Sequence, residues 1–233
     1  MASFSILWRR YLRYSEYFVR WLIFEKPRGL DFSMRVKARK ISGTGNHGYA
    51  LTSRRALKNL LRDLSINRED GFLDIGCGKG GVLCYASEFD FGRIGGIEVD
   101  SQLVRIARKN MQKLGLRDRV DVTQADALTF DGYSGFNFFF LFNPFDPDIY
   151  SKVLTRILED VVKKRYVRTV WLLCYGDCND EVIQSSKLFD LYRNEVCPYR
   201  GNGIRVWKSR ETGRAPLPVH TKENSTLQME GRS

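Results

Sequence analysis

The chain has 233 residues, of which 43% are hydrophobic, so it is long enough for one globular domain with a sizeable core. No apolar run reaches the roughly 18 residues of a transmembrane helix, and arginines interrupt the segment where a signal peptide needs its apolar core. The five cysteines and two histidines form no metal-ligand pattern. We therefore expect no metal, thiols buried in a reducing environment, and a cytoplasmic location.

The net charge of +11 is concentrated near the N-terminus. Residues 1–55 hold 12 Lys/Arg against 3 Asp/Glu, a net +9, whereas the remaining 178 residues hold 26 against 24. The larger part of the chain is therefore nearly neutral, and nucleic acid is not an expected partner of that part.

Residues 4–24 have the period of an amphipathic helix. Arginines at 9, 13 and 20 mark one face, aromatic and leucine side chains mark the other, and Pro27–Gly29 ends the helix. Three interpretations of the aromatic face stay open: packing on the core, pairing with a second subunit as a homodimer, and peripheral contact with the headgroup layer of an anionic membrane at its inner surface.

The next segments lead from a linker into the domain. Residues 31–50 are basic and then glycine-rich, which indicates a linker. A helix is predicted from about Thr52 to Leu64, with leucines at 57, 60, 61 and 64 on its buried stripe. The predicted division is 1–50 as helix and linker, 51–209 as one domain, and 210–233 as a polar, disordered tail.

The stretch 72–81 is the most informative part of the sequence. A short apolar run ends in Asp74, and Gly76, Gly78 and Gly80 follow before an apolar segment that can open a helix. Strand, glycine turn and helix in this order build a nucleotide pocket, because glycine lets the backbone approach a ligand closely. Gly76, Gly78 and Gly81 also satisfy the spacing GxGxxG of dinucleotide enzymes, which stay the main alternative. A carboxylate at Asp74 would repel a pyrophosphate and suits a cofactor without phosphate and with a cationic end.

At this point the chain resembles the class I methyltransferases that depend on S-adenosylmethionine (SAM), whose first motif has this form. The resemblance implies SAM as cofactor, with the glycines giving backbone access and Asp74 facing the methionine end. It also implies a ribose-binding acid at the tip of the second strand, for which Glu98 is the choice and Asp100 the reserve. Asp126, after the third strand, corresponds to the family's acid that faces the adenine amino group.

The fourth predicted strand, 136–142, is apolar on both faces and ends in Asn143-Pro144-Phe145, where the family places residues of the methyl-transfer site. The resemblance implies that Asn143 orients the acceptor and that Phe145 forms one wall. The segment is also similar to the Asn-Pro-Pro-aromatic motif of methyltransferases acting on amino groups, although it has one proline and its aromatic residue comes one position early.

A narrower resemblance, over roughly 45–208, is to small bacterial methyltransferases that are loosely similar to the non-SET histone-lysine methyltransferases. It implies that Tyr49 and Thr52 cover the cofactor from the N-terminal side. The Gly-Ile-Glu segment that ends in Glu98 matches the histone enzymes, whereas Pro144 replaces the middle Asn of their Asn-Asn-Phe segment.

Alternating strands and helices predict an α/β fold with a doubly wound, mostly parallel, seven-stranded sheet and an N-terminal helical extension. The last two strands are predicted to form an antiparallel hairpin. The predicted strands lie near 71–75, 93–98, 119–124, 136–142, 168–174, 190–197 and 203–208, and the predicted helices near 80–90, 101–115, 148–164 and 179–188.

The expected function is SAM-dependent methyl transfer to an acceptor that the sequence does not identify: a small molecule, a glycan or lipid precursor, or a protein amine. A protein-lysine or nucleobase amino-group methyltransferase and a SAM-binding protein without turnover are the alternatives. His47 is the one imidazole near the predicted site, so the sequence offers no clear general base.

Overall fold

The computed structural model describes residues 18–33, 52, 54–142, 145–163, 169–176, 179–196 and 203–210. The strands are β1 (Gly71–Ile75), β2 (Arg93–Glu98), β3 (Asp121–Gln124), β4 (Phe138–Phe142), β5 (Trp171–Tyr175), β6 (Phe189–Val196) and β7 (Gly203–Ser209). The α-helices within the described ranges are α1 (Arg54–Arg62), α2 (Gly81–Ala86), α3 (Ser101–Lys113), α4 (Pro147–Lys163) and α5 (Asp180–Ser185).

The strands form one seven-stranded sheet in the order β3-β2-β1-β4-β5-β7-β6. The first five strands are parallel, and β7 lies antiparallel between β5 and β6. The predicted fold class and the predicted hairpin of the last two strands are therefore confirmed. The strand order reverses at β1, which has β2 on one side and β4 on the other, and open α/β sheets bind ligands at the carboxyl ends beside such a reversal.

Helices cover both faces of the sheet, so β1 is buried at every position. Alternate side chains of a strand point to opposite faces. Phe72 accordingly joins a cluster with the apolar stripes of α1, α2 and α3, whereas Leu73 joins a second cluster with α4 and α5. The central strand β4 contributes to both clusters, as its continuous apolar run predicts.

The described part of the N-terminal extension is attached to the domain. Phe18–Arg20 are helical, a π-helical turn spans Trp21–Glu25, and a 3-10 turn spans Lys26–Arg28. Gly29, at φ 62°, ends the helical path where Pro27–Gly29 was predicted to end it. Leu30 and Phe32 are buried in the cluster that contains α1, α2 and α3. The predicted helix over 4–17 and the linker over 34–50 lie outside the described residues.

Most predicted elements are present, with different ends. Helix α1 begins at Arg54 rather than Thr52, and its predicted leucine stripe is buried. Strand β3 begins at Asp121, two residues later than predicted, and a 3-10 turn at Tyr133–Gly135 was not predicted. Along the described ranges, no helix is long and apolar enough to cross a membrane.

Candidate active site

The glycine loop, residues 76–80, connects β1 to α2 at the carboxyl edge of the sheet. Gly76, Gly78 and Gly80 have φ angles of 80°, 53° and 82°, which lie in the left-handed region that favours glycine. The N–H groups of Gly76 and Cys77 both donate to the Ile97 carbonyl, at 2.9 and 3.0 Å. The loop is therefore a tight turn fastened to the end of β2.

Glu98 ends β2 and is held by backbone donors from two sides. Its Oε2 accepts from the Gly78 N–H at 3.0 Å, and its Oε1 accepts from the Asp100 N–H at 2.9 Å. The residue is only 7% exposed, and burial raises the pKa of its carboxyl while these backbone donors lower it. The carboxylate is thus locked in one orientation, directly beside the glycine loop.

Asp74 lies on the same face of the sheet as Glu98 and is 3% exposed. Burial raises the pKa of its carboxyl well above the ordinary value, and the neighbouring charge of Glu98 raises it further. No hydrogen bond or cation among the described residues offsets these two effects. Two buried acids close together, one of them without an offsetting partner among the described residues, favour a cationic ligand.

The two other acids predicted for this region bond to the backbone. Asp100 is the N-cap of α3, where its Oδ1 accepts from the Gln102 N–H at 2.7 Å and the Leu103 N–H at 3.4 Å. Asp126 follows β3 and is half-buried, and its Oδ1 accepts from the Leu128 N–H at 2.9 Å. The adjoining Ala125 N–H donates to the Glu98 carbonyl, which brings Asp126 to the same edge as Glu98.

Aromatic side chains lie at the carboxyl ends of β4 and β5. The half-buried Phe142 ring meets the buried Tyr175 ring at a centroid distance of 4.6 Å and an angle of 72°. Phe145 packs against the cluster that contains α4, and its carbonyl accepts from Asn179 Nδ2 at 3.3 Å. These groups make the β4–β5 end of the edge mainly apolar.

The structure brings five of the predicted residues together at the carboxyl edge of the sheet. Asp74, the three glycines and Glu98 lie close together, and Asp126 follows the neighbouring strand β3 at the same edge. Thr52 is 4% exposed, and its predicted place over the cofactor stays a prediction. Tyr49, His47, Asn143 and Pro144 lie outside the described residues, so their roles stay predictions too.

Two residues that the sequence did not single out support the glycine loop. Lys79, inside the loop, is fully buried, and its Nζ lies 2.5 Å from Asp31 Oδ1. Asn110 of α3 is 2% exposed, and its Nδ2 donates to the Lys79 carbonyl at 3.1 Å. A signal for Asn110 existed, since it is a polar residue on the buried stripe of α3 next to Ala107 and Met111.

Comparison with known proteins agrees with this geometry. The family model described as "Methyltransferase domain" matches residues 72–163. The ribosomal protein L11 methyltransferase of Thermotoga neapolitana is 28% identical over 131 residues, which are 56% of this chain and 44% of that protein. The one from Pelobacter propionicus is 30% identical over 105 residues, 43% of this chain and 34% of that protein. The chain thus spans less than half the length of these relatives.

A solved structure has the same fold. The RNA methyltransferase from Salinibacter ruber, in complex with S-adenosyl-L-homocysteine, is 21% identical and covers 75% of this chain and 100% of its own, with a TM-score of 0.52. At that identity the likeness shows the fold alone. The family match covers the glycine loop, β2, β3 and β4, where the first motif resembles the class I SAM-dependent methyltransferases. Residues 72–163 therefore form a methyltransferase domain.

Proposed function

We propose that the protein binds SAM at the carboxyl edge of the sheet, beside the glycine loop and Glu98, and transfers its methyl group to an acceptor. The observation that carries the proposal is the pair of buried carboxylates, Asp74 and Glu98, on one face of the sheet beside the glycine loop. SAM has a cationic sulfonium and an ammonium group but no phosphate, so it suits this charge. A dinucleotide would bring its pyrophosphate against Asp74.

The residues at this edge fit the parts of the cofactor. Backbone N–H groups of Gly78, Val99 and Asp100 bond to the Glu98 carboxylate, which has about four acceptor sites, so capacity remains for a ribose hydroxyl. Asp74 would pair with the cationic amino-acid end. Asp126 would accept from the adenine amino group, with its orientation held by the Leu128 N–H.

When bound, SAM supplies a methyl group on a positively charged sulfur. The work of the chain is to hold the cofactor and the acceptor in line and to exclude water. Phe142 and Phe145 would line the acceptor side, and Asn143 would orient the acceptor. A neutral amine needs no base in the attacking step, which agrees with a site that the sequence equips with no clear general base.

The geometry of the site indicates the class of acceptor less directly than it indicates the cofactor. The name of the L11 relatives supports testing proteins as acceptors first, followed by glycan and lipid precursors and by small molecules. The nearly neutral charge of residues 56–233 does not favour nucleic acid. A methyl-transfer screen with labelled SAM against protein, lipid, glycan and tRNA fractions would identify the acceptor. Tight SAM binding with no labelled product in any fraction would favour the alternative, a SAM-binding protein without turnover.

Calorimetry tests the cofactor proposal directly. We expect the purified chain to bind SAM and S-adenosyl-L-homocysteine and not NAD. The variant Glu98→Gln retains the shape of the side chain but places an amide where the carboxylate accepts hydrogen bonds, so it should bind SAM more weakly than the wild type. Binding of NAD with no binding of SAM would refute the proposal.

We also propose that the N-terminal segment contacts an anionic membrane surface. Phe18, Val19, Leu22 and Ile23 are 45–68% exposed and share one side of the helical path. The nearby Lys26 and Arg28 are exposed, and residues 1–55 carry a net charge of +9. An isologous dimer would juxtapose two such cationic segments, whereas anionic headgroups would neutralise them.

Sedimentation with liposomes tests this contact. Wild type should sediment with anionic vesicles at low salt, less at high salt, and not with zwitterionic vesicles. The double variant Phe18→Ser/Ile23→Ser should lose this binding, whereas Leu191→Ser, which removes an exposed apolar side chain from β6, should keep it. Equal sedimentation of both variants would refute the membrane proposal. A wild-type dimer that Phe18→Ser/Ile23→Ser converts to a monomer would show that a second copy covers the face instead.

A further inference from the structure

We infer that residues 25–33, termed the strap, position the glycine loop through Lys79 and Asn110. The inference rests on the proposed SAM binding and extends the cofactor site to a segment that lies outside the family match at 72–163. It assigns a role to the part of the N-terminal extension that packs on the domain.

The strap has a defined conformation of its own. The buried Glu25 carboxylate accepts from the Phe32 N–H at 2.9 Å and the Ser33 N–H at 2.8 Å, and it pairs with Arg20 Nε at 3.1 Å. The Leu30 N–H donates to the Glu25 carbonyl at 2.9 Å. These bonds close the strap into a compact turn around one carboxylate.

The strap is also anchored to α3 and the core. Leu30 and Phe32 are buried in the cluster that contains α3. The Asp31 N–H donates to Asn110 Oδ1 at 3.0 Å, and Asn110 Nδ2 donates back to the Asp31 carbonyl at 3.0 Å. Such a reciprocal pair fixes both the position and the orientation of the Asn110 amide.

Asn110 and Asp31 then hold Lys79 from two directions. The Asn110 Nδ2 donates to the Lys79 carbonyl, and the Asp31 carboxylate pairs with the Lys79 ammonium, whose side chain is only 1% exposed. A buried ammonium is costly without a counterion, and the Asp31 carboxylate supplies one. Both the backbone and the side chain of this loop residue are therefore tied to the strap.

Lys79 lies between the two glycines whose geometry matters for the site. Gly78 aims its N–H at Glu98 Oε2, and Gly80 leads into α2 with φ 82°. Glycines leave a loop free to adopt many conformations, and each must be lost when a ligand binds. A loop that the strap already holds in the binding conformation loses less conformational entropy when SAM binds, so the protein binds SAM more tightly.

The test compares SAM affinity with stability in folded variants. Asp31→Asn keeps the size of the side chain and removes the charge that pairs with Lys79. Asn110→Ser shortens the amide that holds the Lys79 carbonyl. The matched control is Asp90→Asn, which breaks the exposed Arg68–Asp90 ion pair away from the loop. SAM dissociation constants, melting temperatures and amide exchange of residues 76–80 are measured for all four proteins.

We expect Asp31→Asn and Asn110→Ser to weaken SAM binding about tenfold, which equals about 1.4 kcal/mol, and to raise amide exchange in the glycine loop. Asp90→Asn should match the wild type in both. If the variants melt earlier but bind SAM with wild-type affinity and show wild-type exchange in the loop, the strap only stabilises the fold and the inference is refuted.

Two further results keep the outcomes separate. If the wild type itself does not bind SAM, the proposed function fails, and the amide exchange of the loop still decides whether the strap orders it. If Asp31→Asn does not fold, Asn110→Ser decides alone, because it leaves the buried ion pair intact. The single variant Lys79→Met and the double variant Asp31→Asn/Lys79→Met complete a double-mutant cycle. An effect of the double variant on SAM affinity equal to the sum of the two single effects would show that the pair does not act as a unit.

Discussion

Above β1 and β2, the carboxyl edge of the sheet is lined by backbone N–H groups and buried carboxylates, whereas above β4 and β5 the described residues present aromatic rings. The first region is held by hydrogen bonds from the glycine loop to the end of β2: the N–H groups of Gly76 and Cys77 donate to the Ile97 carbonyl, and the Gly78 N–H donates to Glu98. In the second region, the rings of Phe142 and Tyr175 meet across neighbouring strands.

The difference between these two regions indicates which side chains of such a site can be exchanged. Backbone donors and a locked carboxylate form the cofactor region. We therefore expect a substitution there to change the affinity for SAM, whatever the acceptor is. The acceptor region is built from side chains that can be exchanged without disturbing the loop. We therefore expect variants of the two regions to separate into those that change cofactor affinity and those that change turnover.

The largest effect on the cofactor region is expected for Glu98→Ala. It leaves the Gly78 and Asp100 N–H groups without this acceptor and removes the proposed partner of the ribose hydroxyls. Unpaired buried polar groups cost roughly 1–3 kcal/mol each, so SAM affinity should fall by about 100-fold. Calorimetry at constant pH measures this. A SAM affinity for Glu98→Ala within about threefold of the wild type would show that Glu98 is not the ribose acid.

The matching variant on the acceptor side is Asn143→Ala, at a residue whose role stays a prediction. We expect turnover to fall by about 30-fold, the equivalent of roughly 2 kcal/mol for one hydrogen bond near the reacting atoms, with SAM affinity unchanged. Steady-state kinetics with the acceptor from the screen and calorimetry with SAM give the two numbers. Equal losses in turnover and in SAM affinity would assign Asn143 to the cofactor region and remove the contrast between the two regions.

The placement of Asp74, the glycines and Glu98 at one edge of the sheet was predicted most fully from the sequence, whereas their roles toward SAM stay predictions. Local sequence pattern was enough to predict this placement. These residues lie in or next to short apolar runs, and the period and the end of such a run depend on neighbouring residues. The element ends were less accurate. Helix α5 was expected to reach residue 188 but ends at Ser185, because Ser186 caps it and Lys187 adopts φ 56°.

The support beneath the glycine loop was not predicted, for a physical reason. The Asp31–Asn110 pair joins residues 79 positions apart, and Lys79 and Asp31 are 48 positions apart. No local period encodes such contacts, which exist only after the strap has packed on α3. Phe32 was placed in a linker by composition, yet it is fully buried. Burial of one aromatic side chain outweighs the polar character of its neighbours.

The pH dependence of SAM binding sharpens the charge argument for Asp74. Burial, and then the Glu98 charge, raise the pKa of Asp74 well above its ordinary value. Without ligand, the stability linked to this proton is therefore full at low pH and is lost as pH rises through the raised pKa. A cationic ligand favours the ionised carboxylate, so SAM binding should strengthen over the same rise and release a proton at the lower end.

Calorimetry across this range, in two buffers of different ionisation enthalpy, measures both the affinity and the proton release. Asp74→Asn should bind SAM more weakly at high pH and show a shallower pH dependence. Some dependence should remain, because burial also raises the pKa of Glu98. An identical slope in Asp74→Asn and the wild type would assign the whole effect to Glu98 and leave Asp74 without a role in charge recognition.

The smallest effect is expected for Asp100→Ala, which separates the two acids that follow β2. Asp100 caps α3 through the Gln102 and Leu103 N–H groups, and loss of a helix N-cap costs about 1 kcal/mol, or a fall in melting temperature of roughly 2–4 °C for a chain of this size. Its carboxylate is directed at the helix, so SAM affinity should change by less than about twofold. Asp100→Asn, which can still cap, should melt within about 1 °C of the wild type. A loss of SAM affinity at Asp100→Ala as large as that at Glu98→Ala would mean that the ribose is held by both acids, and that the cofactor region depends on the start of α3 as well as on the end of β2.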